Sequence, residues 1–103
     1  MQTRITARHT NLPAGARPLI EAAVARLERY YDGIHDAHVV LEGQEAGGST
    51  RAEVKVNVSR RTLTAQEAAP TYQEAVNGCV RQLRRQVLRY KDGVRDTSKN
   101  VHR

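Results

Sequence analysis

Residues Thr3 to Arg8 alternate, with Thr3, Ile5 and Ala7 on one side and Arg4, Thr6 and Arg8 on the other. That period of two predicts a strand with one buried face. Asn11-Leu12-Pro13-Ala14-Gly15 reads as a turn, and Pro18 suits the first turn of a helix, where its missing N–H costs nothing. Ile20, Ala23, Val24, Leu27 and Tyr31 then fall on one helical stripe, which Gly33 is expected to end. Ala37 to Leu41 is a short Val-rich run, read as a second strand. Thr50 to Val58 alternates most cleanly, with Ala52, Val54, Val56 and Val58 inward and Arg51, Glu53, Lys55 and Asn57 outward. Ser59-Arg60-Arg61 turns the chain into a fourth strand containing Leu63 and Ala65.

Pro70 opens the last long segment, whose stripe is Tyr72, Val76, Cys79, Val80, Leu83, Val87 and Tyr90. Gly78 inside this helix costs about 1 kcal/mol relative to Ala. Gly93 is expected to stop the helix, leaving Asp96 to Arg103 as a polar tail. The order is β-α-β-β-β-α, an α+β fold in which two amphipathic helices cover one face of a four-stranded sheet. Short links between strands two, three and four imply an antiparallel meander. No internal repeat or low-complexity tract interrupts it.

Composition adds limits. The chain has 103 residues, enough for one domain, and is only 39% hydrophobic with no Phe or Trp. Its four aromatics are Tyr30, Tyr31, Tyr72 and Tyr90, so the core must rest on Val, Leu, Ile and Ala. A single cysteine, Cys79, excludes an internal disulfide and a Cys-based zinc cage. The opening Met1-Gln2-Thr3-Arg4-Ile5 holds no apolar run suited to a signal peptide or membrane span, so a cytoplasmic location is expected.

Charge changes the picture most. The net charge is +6, with a pI near 10.1. Asp32, Asp36, Glu42 and Glu45 occupy a stretch without Lys or Arg, a local −4 that leaves +10 on the rest of a chain whose total is +6. Between Pro70 and Lys91, the cations Arg81, Arg84, Arg85, Arg89 and Lys91 stand against one acid, Glu74. Arg81, Arg85 and Arg89 recur every four residues and so share one side of the helix, where like charges repel. Arg17, Arg26 and Arg29 add to this from helix one. Arginine forks bind phosphate in bidentate fashion and stack on bases, so the pattern points to a polyanion.

Enzyme chemistry finds little support. There is no Gly-rich phosphate loop, nucleophile elbow or HExxH pair. His9, His35, His38 and His102 lack metal-ligand spacing, and no cofactor or metal is expected. A hydrolase using acids between Asp32 and Glu45 would need a buried carboxylate pair. Among nucleic-acid modes, stacking of bases on strand aromatics is disfavoured because no strand carries one. A helix-turn-helix is disfavoured because three strands separate the helices, so DNA is not expected. Shape and phosphate recognition of folded RNA remains.

The chain also resembles a known family, the short ribosome hibernation promoting factors and the ribosome-associated translation inhibitor, also called sigma-54 modulation proteins. The resemblance runs from Gln2 to about Lys91. It is carried by Ile5-Thr6-Ala7-Arg8-His9, by Val24-Ala25-Arg26-Leu27-Glu28-Arg29-Tyr30-Tyr31-Asp32 and by His38-Val39-Val40-Leu41. The Val54–Val58 strand, Tyr72-Gln73-Glu74-Ala75-Val76 and Leu83-Arg84-Arg85-Gln86-Val87-Leu88-Arg89-Tyr90-Lys91 complete it. Pro70 and Asn77 depart from the family pattern. The resemblance implies a fold similar to double-stranded RNA-binding domains, with residues 1–95 as one ribosome-binding domain and 96–103 as a tail. It implies binding of the small ribosomal subunit and its 16S rRNA in the mRNA and tRNA channel, with inhibition of translation in stationary phase or stress. By position, the RNA-binding residues would be Arg26, Arg29, Arg81, Arg84, Arg85, Arg89 and Lys91. The family's long form has a dimerisation domain not present in this sequence, so pairing of ribosomes would need a separate ribosome-dimerising factor. The alternative is a regulatory protein–protein module whose basic face meets an acidic protein.

Overall fold

The computed structural model describes residues 1–43 and 48–101, with side chains described through Gly93. Strand β1 spans Gln2–Arg8, helix α1 Ala16–Ala25, β2 Asp36–Gly43, β3 Thr50–Val58, β4 Arg61–Ala69 and α2 Tyr72–Val101. The sheet order is β1-β2-β3-β4. β1 runs parallel to β2, through the α1 crossover, and β2, β3 and β4 form the antiparallel meander expected from their short links.

One sheet face holds the core. Val39 and Leu41 of β2, Ala52, Val54 and Val56 of β3, and Leu63 and Ala65 of β4 are buried against Ile20, Val24 and Leu27 and against Val76, Cys79, Leu83 and Val87. The alternation of β3 is therefore a true inside-outside pattern. β1 is an edge strand: Thr3 and Ile5 are half-buried and Ala7 is exposed. The other sheet face stays polar, with Asn57 donating to Asp36 at 2.5 Å and Gln66 to Glu53 at 2.6 Å.

Both helix ends differ from the sequence expectation. Helix one starts at Ala16, just after Gly15, whose φ of 83° no side chain would adopt cheaply. It does not run on to Gly33: after Ala25 it tightens into a 3-10 turn, Arg26–Arg29. Leu27 stays in the core, while Tyr31 leaves the stripe and is, like Tyr30, half-buried. Helix two does not stop at Gly93. It continues to Val101, because one glycine penalises a helix by only about 1 kcal/mol and no proline follows it. Residues 96–101 are thus helical in backbone, continuous with α2.

Candidate nucleic-acid interface

The orientation of α2 decides where its cations go. Ala75, Val76, Cys79, Val80, Leu83 and Val87 are buried, and successive residues turn by roughly 100°. Arg81, Arg85 and Arg89 consequently form an outward crest, all three exposed. The flank toward β4 is anchored by amides. Gln82 Nε2 donates to Gln66 O at 3.1 Å and to Glu67 Oε2 at 2.7 Å, and Gln86 Nε2 donates to Thr64 O at 2.9 Å. These bonds join helix to edge strand and hold the crest toward solvent.

The opposite flank faces the 3-10 turn. Asn77, Arg84 and Lys91 lie seven residues apart and so share that side. Arg26 Nη2 donates to Asn77 Oδ1 at 3.2 Å. The Arg84 guanidinium lies over the Tyr30 ring, 5.0 Å from its centroid. Arg26 and Arg84 therefore bridge the two helical segments, with Arg29 exposed on the turn beside them. Lys91 is half-buried. The seven basic positions named from the sequence occupy one side of the molecule in two groups: a crest of Arg81, Arg85 and Arg89, and a seam of Arg26, Arg29, Arg84 and Lys91. The exposed Leu88 lies between the groups on α2.

No acid among the described residues pairs with these charges. Among the described residues the ion pairs are the Met1 amino group with Glu28 at 3.6 Å and Lys55 with Glu53 at 3.8 Å. Arg81, Arg85 and Arg89 make no hydrogen bond or ion pair there. A crest of unneutralised guanidinium groups, each with its fork facing water, has what a phosphodiester backbone requires.

The groups that could have carried other chemistry are placed apart. His35 sits 3.4 Å from Ser59 Oγ, and His38 Nε2 is 2.9 Å from Thr6 Oγ1 on the polar sheet face. Among the described residues no three His, Cys, Asp or Glu side chains converge as metal ligands, and no charged side chain is buried. Asp32 and Glu42 are exposed and Asp36 is half-buried. Glu45 and His102 lie outside the described residues. Among the described residues no helix is long and apolar enough to cross a membrane. The sequence pattern marks Arg60 and Arg61 only as a turn. Both are exposed, and Arg61 lies 6.0 Å from the Tyr90 ring centroid. Two adjacent arginines at a hairpin turn were the available signal.

The chain matches the family model described as Sigma 54 modulation protein / S30EA ribosomal protein over residues 3–95. It is 30% identical over 92 residues to the ribosome hibernation promoting factor of Escherichia coli K12, covering 89% of this chain and 95% of that one. The crystal structure of the Thermus thermophilus Protein Y N-terminal domain is 31% identical, with a TM-score of 0.75 over 84% of this chain and 94% of that one. A ribosomal subunit interface protein from Coxiella burnetii shares the fold at a TM-score of 0.79 and 20% identity, over 89% of this chain and 99% of that one. By sequence, by element order and by sheet topology, the chain belongs to the Sigma 54 modulation protein / S30EA ribosomal protein family.

Proposed function

We propose that this chain is a ribosome hibernation factor: it enters the mRNA and tRNA channel of the small ribosomal subunit, binds 16S rRNA and inhibits translation in stationary phase or stress. The observation that carries this is the crest of Arg81, Arg85 and Arg89, exposed and without an acid partner among the described residues. The names of the relatives, hibernation promoting factor and subunit interface protein, point the same way.

The mechanism is occupation and needs neither covalent chemistry nor a cofactor, so the protein is no enzyme. Arginine forks on the crest and seam take up phosphates and release their counterions, the main source of affinity. The two-layer body of residues 1–95 then fills space that messenger and transfer RNA would use. The protein acts in the cytoplasm, where ribosomes are.

Co-sedimentation with purified small subunits across a salt series tests this, using the wild type and Arg81→Ala/Arg85→Ala/Arg89→Ala. Saturable binding near one per subunit is expected, with a log–log salt slope shallower by about three in the variant. Equal binding by the variant would remove the crest from the site. No binding by the wild type at moderate salt would favour the protein-partner reading, in which the basic face meets an acidic protein.

A further inference from the structure

β3 and β4 join through a two-residue hairpin loop, since Val58 pairs with Arg61 and only Ser59 and Arg60 lie between. Arg60 has φ of 72°, the left-handed region, at the second central position where glycine or asparagine is the usual occupant. A β-carbon is strained there. The position gains nothing for folding from a long cationic side chain, and Arg60 is exposed with no ion pair among the described residues. Strain kept at a surface position asks for a reason outside the fold.

The loop is also held in place. Tyr90 OH donates to Ser59 O at 2.6 Å, fastening the hairpin tip to α2. His35 N donates to Asn57 O at 2.8 Å and its ring lies 3.4 Å from Ser59 Oγ, fastening the tip from the chain before β2. Tyr31 meets Tyr90 edge-on, with centroids 5.6 Å apart and planes at 64°. The Arg61 guanidinium lies over the other side of this cluster, 6.0 Å from Tyr90. Two cation–ring contacts are thus present, Arg84 on Tyr30 and Arg61 on Tyr90, and Tyr90 also joins Tyr31 and the hairpin tip.

We propose that this tip, Arg60 and Arg61 braced by Tyr90, is a second RNA contact that grips a phosphodiester backbone alongside the α2 crest. The inference rests on the RNA-binding reading above and adds a site to it. A pre-braced loop loses little conformational freedom on binding, so its two guanidinium groups meet phosphate at low entropic cost.

The test uses Arg60→Gly, Arg61→Gln and the double variant of the full chain, bound to purified small subunits and to protein-free 16S rRNA across a salt series. Arg60→Gly removes a charge while relieving the backbone, so its melting temperature should equal or exceed that of the wild type. Each single variant should make the salt slope shallower by about one, and the double by about two, on both targets. Unchanged slopes, with the crest triple variant still impaired, would overturn the tip contact and leave the RNA-binding reading standing. An effect on subunits absent from free rRNA would assign the tip to a ribosomal protein and overturn it too. If the wild type binds neither target, the RNA-binding reading fails and the tip contact falls with it.

Discussion

Cys79 shows how a side chain too small to dominate the core still reports on it. Its thiol is fully buried under α2, donating to Ala52 O at 3.5 Å and Ala65 O at 3.7 Å. Burial, with the Glu67 carboxylate nearby, pushes its ionisation from 9.0 up to about 11. The folded state therefore keeps a proton that the unfolded chain gives up, and its stability must fall as pH rises through that window. The slope is about 1.4 kcal/mol per pH unit. Urea unfolding just below pH 9 and near pH 11 should show the wild type losing more stability than Cys79→Ala. The variant starts lower through lost packing, so it is the loss between the two pH values that is compared. Equal losses would mean that the thiolate is solvated in the folded state. Reading Cys79 as a buried helix residue was possible from the stripe alone. The reason for its neighbour Gly78 was not: a β-carbon there would come within 2.6 Å of Glu67 Cγ. That close approach of α2 to β4 is a long-range contact with no local signature.

Among the elements, strands and helix stripes were legible because burial repeats with the period of each structure. β3 matches its pattern at every inward position from Ala52 to Val58. What was not legible depended on partners far along the chain. The parallel pairing of β1 with β2 is one case, and the 3-10 turn that points Tyr30 at Arg84 is another. The end of α2 was misjudged for a different reason. A glycine can terminate a helix by adopting a left-handed φ or can simply be carried within it at a cost, and the residue type does not say which. Gly93 takes no left-handed φ, and a β-carbon on it would meet nothing within 4 Å. Gly93→Ala should therefore stabilise the protein by about 0.5–1 kcal/mol and raise its far-ultraviolet helical signal. A left-handed terminator would give the reverse, a loss of stability with alanine.

For the whole molecule, the question is whether affinity follows net charge or its placement. A total of +6 would attract any polyanion, and the sequence showed the excess of arginine on α2 without showing which way each one faced. The fold divides the cations between two faces. On the open side of the sheet Lys55 and Arg51 sit among partners: Lys55 lies 3.8 Å from Glu53, and Arg51 donates to Gln66 at 2.5 Å, which in turn donates to Glu53. On the helical side the crest has none among the described residues. A cation already beside a carboxylate has less to gain from a phosphate and must give up its neighbour to meet one. Lys55→Gln and Arg85→Gln remove the same single charge from the two faces. The first should leave binding to small subunits within about twofold and the salt slope unchanged, while the second should make the slope shallower by about one. Matching effects would show that the ribosome senses only the total charge. A difference confined to Arg85 would show that the protein presents its helical side to RNA and keeps the sheet face turned away.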